Sequence, residues 1–155
     1  MLKAQIFQSL LLFMCVSSIL MLYSALGGIF VASLGASGFI LFATPHTNSS
    51  QSRNLAGGYL CGTAAGILSS LLYNQVTGLT FPGSEYALVF ICAAAPASAM
   101  LLMTSTNLIH PPAAAFALGL SIEPYPIQTT IAAVVGVITL CLIRAVLSKY
   151  LKNLI

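Results

Sequence analysis

From residue 6 to residue 43 the sequence is one apolar run of nearly 40 residues, with no charged side chain in it. A bilayer core takes about 20 helical residues, so the run is too long for one crossing. It divides at residues 24–28, where Gly27-Gly28 suits a tight turn. Divided there, the chain has six apolar segments, at about 6–23, 26–43, 55–73, 86–103, 112–122 and 127–147. Only 5% of the 155 residues are charged and 59% are hydrophobic, against about 25% charged in a soluble domain. Too few polar groups are present to cover a globular surface, so lipid is the expected solvent. The expectation is an all-α membrane protein forming a single membrane domain over residues 1–155.

The few charges orient the chain. Lys3, Arg53, Lys149 and Lys152 fall on one side if six segments alternate in direction, and Glu85 and Glu123 on the other. The positive-inside rule makes the basic side cytoplasmic, with both termini there, in a cell (inner or plasma) membrane. The net charge of +3 comes from scattered residues and implies no nucleic-acid surface. Residues 1–25 have signal-peptide features, but the apolar character continues past Gly28, so they are taken as a span. Cys15, Cys61, Cys92 and Cys141 lie in apolar segments without metal-ligand spacing and are expected to be packing residues. No metal and no cofactor is expected.

One polar stretch breaks the pattern: Thr104-Ser105-Thr106-Asn107-Leu108-Ile109-His110-Pro111-Pro112. Proline fits a first helical turn, so a helix is predicted from Pro112 to Ile122. Its 11 or so residues make roughly 16 Å, about half a bilayer core. Such a half-helix would point its positive end and free N–H groups at something buried. Thr106, Asn107 and His110 would add donors to an anion there. Segment two offers a second candidate. Gly35 and Gly38 would break it into another half-helix facing the first, presenting Ser33 and Ser37, which share a face, so that the site falls between Ser37 and His110. Arg53-Asn54, at the mouth of segment three, would attract the anion. Gly58, Gly62 and Gly66 recur every four residues on segment three and predict close helix packing.

The chain also looks duplicated. Gly35-Ala36-Ser37-Gly38-Phe39 aligns with Pro112-Ala113-Ala114-Ala115-Phe116 at an offset of roughly 77 residues, which also brings segment one to four and three to six. Halves of about 1–76 and 77–155, each with three segments, would be inverted repeats with a site near the midplane. Segments two and five would be discontinuous or half-length. No carboxylate lies inside a segment, so no acid–base pair is available and an enzyme is not expected.

These residues resemble the HPP family of integral membrane proteins. Gly35-Ala36-Ser37, Leu41-Phe42-Ala43-Thr44-Pro45, Gln51-Ser52-Arg53-Asn54 and His110-Pro111-Pro112-Ala113 occur in the family's order, across about residues 27–120. Ser52 stands where the family often has proline, and Ala114 where it often has glycine. The family is described as having four membrane helices, against six segments here. Plastid and cyanobacterial relatives are associated with nitrite transport. The resemblance therefore implies a transporter or channel for a small inorganic anion, nitrite foremost. A membrane anchor or sensor module for a partner protein is the alternative. The bilayer and the anion are the expected partners, with homo-oligomer formation left open.

Overall fold

The protein is described by a computed structural model covering residues 2–26, 32–77, 84–122 and 126–154. The proposed Gly27-Gly28 turn lies outside the described residues. Among the described residues six α-helices follow one another: α1 (Leu2–Leu26), α2 (Ala32–Ala43), α3 (Ser52–Thr77), α4 (Ser84–Thr106), α5 (Pro112–Ile122) and α6 (Pro126–Leu147). A single 3-10 turn, Asn48–Ser50, precedes α3. Four helices are long and apolar enough to cross a membrane, over Leu2–Met21, Ser52–Thr77, Tyr86–Thr106 and Ile127–Leu147. The two short apolar helices are α2 and α5. The chain is a multi-pass membrane protein, and its four long helices match the count usual for the family it resembles.

The helices begin and end for local reasons. α4 stops where Asn107 takes a left-handed conformation, φ 55°. Leu108 N–H then donates to the Met103 carbonyl at 2.9 Å and Asn107 N–H to the Thr104 carbonyl at 3.4 Å. This is a glycine-type helix stop with asparagine in glycine's place. α5 begins at Pro112 as predicted. α2, by contrast, runs unbroken through Gly35 and Gly38. The expected break there is not made, and Ser37 Oγ bonds back to the Ser33 carbonyl within the regular helix.

α3 is the axis of the fold. A Cβ added at Gly58 would lie 2.5 Å from His110 Cβ, and one at Gly62 would strike the Ala113 carbonyl oxygen. At Gly66 it would meet the Ala117 carbonyl oxygen at 2.9 Å. The three contacts follow in chain order, so α5 runs parallel to α3 with their backbones touching. This close approach is the small-residue packing used between helices in lipid, where apolar burial gives no drive. His110, two residues before α5, lies level with Gly58, six residues and so about 9 Å past the start of α3.

The starts of α1, α3 and α5 share one end of the bundle with the ends of α2, α4 and α6. Gln8 Nε2 in α1 donates to the carbonyls of Phe42 and Lys152. Cys141, late in α6, lies beside the Ser52 carbonyl. The chain after α6 clasps this end. Leu154 N–H donates to the Ala43 carbonyl at 2.9 Å, His46 Nε2–H to the Leu151 carbonyl at 3.0 Å, and His46 N–H to Asn153 Oδ1 at 3.2 Å. Leu151 is buried in the core. Lys3, Arg53, Lys149 and Lys152 therefore gather at one end. With the four native cysteines replaced, Lys3→Cys, Arg53→Cys and Lys152→Cys are expected to react with an impermeant thiol reagent from the cytoplasmic side only. Labelling of Arg53→Cys from outside would reverse this arrangement.

Candidate functional site

The one histidine of the polar stretch is fully buried where α2, α3 and α5 meet. His110 Nδ1 lies 2.8 Å from the Ser49 carbonyl oxygen. A carbonyl only accepts, so Nδ1 carries a hydrogen and the neutral ring leaves Nε2 as the acceptor. Nε2 lies 2.8 Å from Ser37 Oγ. Ser37 Oγ also lies 3.0 Å from the Tyr59 hydroxyl and 2.9 Å from the Ser33 carbonyl. The Tyr59 ring is flanked by His110 at 5.7 Å and Phe116 at 5.3 Å between centroids. The Ser33 hydroxyl is buried beside the Tyr59 phenol, with no partner in full hydrogen-bond geometry.

Each element has a part in placing this cluster. Gly58 has no Cβ, which lets His110 sit against α3. The 3-10 turn folds through Ser50 N–H to Thr47 O at 3.2 Å, while Ser50 Oγ bonds the Pro45 carbonyl at 2.7 Å. That turn aims the Ser49 carbonyl at the imidazole. His110 lies in the link before α5, outside the four long spans. Burial holds its imidazole below the ordinary value, with the Ser49 carbonyl acting in the opposite direction.

The structure brings Ser33, Ser37 and His110 together and leaves the other expected residues apart. Gly35 is half-buried with nothing near its Cβ position. Arg53 is exposed and Asn54 buried in the first turn of α3, and neither bonds to the His110 cluster. Thr106 is exposed and donates to the Leu102 carbonyl of its own helix at 2.6 Å. Asn107 is exposed and ends α4. Both lie at the end of α4, away from the His110 cluster.

The expectation of free N–H groups at the start of α5 also fails. Pro111 and Pro112 have none, Ala113 N–H donates to the His110 carbonyl and Ala114 N–H to that of Pro111, both at 3.0 Å. What α5 still offers is its dipole.

Two members of the cluster were missed. Tyr59 follows Gly58 on the glycine face of α3, and an aromatic with a polar tip beside such a stripe is a usable signal. Ser49 contributes only its carbonyl, which no side chain advertises.

A family model described as HPP, transmembrane region, matches residues 2–155. The chain belongs to the HPP family. The match takes in all six helices, beyond the 27–120 stretch that carries the recognisable motifs. No curated protein and no solved structure matches the chain. In this HPP protein the name-giving tripeptide supplies one cluster residue, His110, and two prolines that start α5.

Proposed function

We propose that the protein passes a small inorganic anion, nitrite in the first instance, through the site between Ser37 and His110. The observation that carries this reading is the polar cluster of Ser37, Tyr59 and His110, buried at the meeting of both short helices in an otherwise apolar chain. The Ser33 hydroxyl, in no full hydrogen bond, adds a group that can turn toward an anion. An anion admitted here would draw on the Ser37 and Tyr59 hydroxyls, opening the bond between them, and on the α5 dipole, without any covalent step. The choice of nitrite rests on family resemblance alone.

The inverted-repeat plan belongs to the same reading. α3 packs closely on α4 and α5, while α6 touches α1 and α2 far more lightly. Gly136 of α6 receives Leu34 of α2, as Gly58 and Gly62 of α3 receive His110 and Ala113, and this likeness supports the plan. The two short helices touch each other. In such a plan the site would lie at the junction of the halves, where transporters of this kind bind.

Nitrite uptake into proteoliposomes holding only this protein tests the proposal. Uptake is expected to exceed that of protein-free vesicles at neutral pH. Uptake equal to the blank would favour an anchoring or sensing module instead.

A further inference from the structure

Around Ser37 the contacts outnumber the hydrogens. Four contacts are present: His110 Nδ1 to Ser49 O, His110 Nε2 to Ser37 Oγ, Tyr59 OH to Ser37 Oγ, and Ser37 Oγ to Ser33 O. A neutral histidine supplies one N–H, and Ser37 and Tyr59 one O–H each. Three hydrogens cannot serve four contacts. With Nδ1–H held by Ser49, Nε2 and the Ser33 carbonyl compete for the single Ser37 hydrogen.

One added proton removes the competition. Nε2–H then donates to Ser37 Oγ, Tyr59 donates to the second lone pair, and Ser37 donates to the Ser33 carbonyl. Ser37 uses its full capacity of one donor and two acceptors. The Ser33 carbonyl already accepts within the α2 ladder, so the neutral arrangement is tolerable too. The Ser37 hydroxyl thus turns between two acceptors as the histidine gains or loses a proton.

Solvation opposes the charged form, because His110 is fully buried. The Ser49 carbonyl opposes this only in part, and among the described residues no fixed negative charge faces the ring. α2, the 3-10 turn and α5 carry no titratable side chain. α3 faces the imidazole with the neutral Tyr59 phenol, while Cys61 lies toward Thr106 and Arg53 is exposed. α4 has its carboxylate, Glu85, at the opposite end from His110, and α6 brings a cation, Arg144, beside Cys141. Glu123 lies beyond the far end of α5. A positive charge here needs a negative one that arrives with it.

We propose that Ser37 and His110 form a proton-binding site filled together with the anion, so that each bound anion brings one proton from water onto His110 Nε2. This rests on the anion reading above. No bond to the anion forms or breaks. When the anion departs, the proton returns to water and the Ser37 hydroxyl turns back to Nε2. The loaded site gains no net charge, and the transported pair is electrically neutral.

The test uses the full chain in proteoliposomes with nitrite, an internal pH dye, and a membrane potential set by potassium and valinomycin. Nitrous acid crosses lipid unaided, so protein-free vesicles are subtracted and runs are kept at neutral to mildly alkaline pH. Expected is about one proton per nitrite and a rate indifferent to the potential. The rate should rise about tenfold per unit of falling pH until the site saturates. In nanodiscs, 15N spectra resolve the chain's two histidines, His46 and His110. Nitrite should convert His110 from the Nδ1–H tautomer to imidazolium. His110→Gln and Ser37→Ala should both flatten the pH dependence.

Flux that follows the potential without proton uptake overturns the coupling and leaves the anion reading standing. Flux no greater than the blank overturns both. Should the variants fail to fold, the parent spectrum decides, and a His110 that stays neutral with nitrite bound overturns the proposal.

Discussion

A methyl group added at Gly62 is expected to drive α3 away from α5 and to remove most of the folded protein. The new Cβ would meet the carbonyl oxygen and carbon of Ala113, which are backbone atoms held in a helix. They cannot rotate aside as a side chain does. Overpacking of a tight interface costs about 1–3 kcal/mol, and more where backbone must move. Gly62→Val should exceed Gly62→Ala. Gly57→Ala should be milder, because its neighbour is the flexible Leu108 side chain. Gly35→Ala is the control. Nothing lies within 4 Å of its Cβ position, and alanine favours a helix over glycine by about 0.5–1 kcal/mol. Thermal melts in detergent, read by size-exclusion fluorescence, should rank Gly62→Val lowest, then Gly62→Ala, then Gly57→Ala. Gly35→Ala should lie at or above the parent. Equal melting of Gly62→Ala and Gly35→Ala would refute the close α3–α5 contact.

Loss of the imidazole should have the largest effect on uptake. His110→Ala leaves the Ser49 carbonyl and Ser37 hydroxyl without their partner and opens a cavity beside Tyr59. An unpaired buried polar group costs about 1–3 kcal/mol, so stability should fall as well as flux. Nitrite uptake per folded molecule should drop at least about tenfold. His110→Gln retains a donor and should keep more of the fold than alanine does. Thr104→Val serves as the comparison, since Thr104 is exposed and bonds only to carbonyls of its own helix. Its uptake should stay within about twofold of the parent. Normal uptake by folded His110→Ala would move the site elsewhere.

α5 was legible to the residue because two prolines mark its start and the apolar run its length. α3 extends past its apolar segment at both ends, through Ser52-Arg53-Asn54 and Asn74-Gln75. Polar residues continue a helix into the interface, where hydropathy no longer reports it. The meeting of Ser37 with His110 followed from treating both short helices as facing. The reason given for it, spare backbone donors and a break at Gly35, was wrong. Whether a glycine breaks a helix depends on what packs against it, and a sequence shows none of that. Tyr59 reads as packing until its hydroxyl is seen on Ser37, a partner on a different helix. That Asn107 ends α4 was not legible, because a residue that ends a helix and one that binds a ligand have the same polar side chain. Only the backbone angle separates them.

The segment that follows α6 has a consequence for the order of biosynthesis. It holds the end of α2 through Ala43, the following loop through His46 and the start of α1 through Gln8. These partners leave the ribosome long before residues 151–154 are made. Until then the carbonyl of Ala43 and the imidazole of His46 must bond to water, and the basic end of the bundle stays open while α3 to α6 insert. The end of α2 is therefore secured late in synthesis, after the long spans have been threaded into lipid.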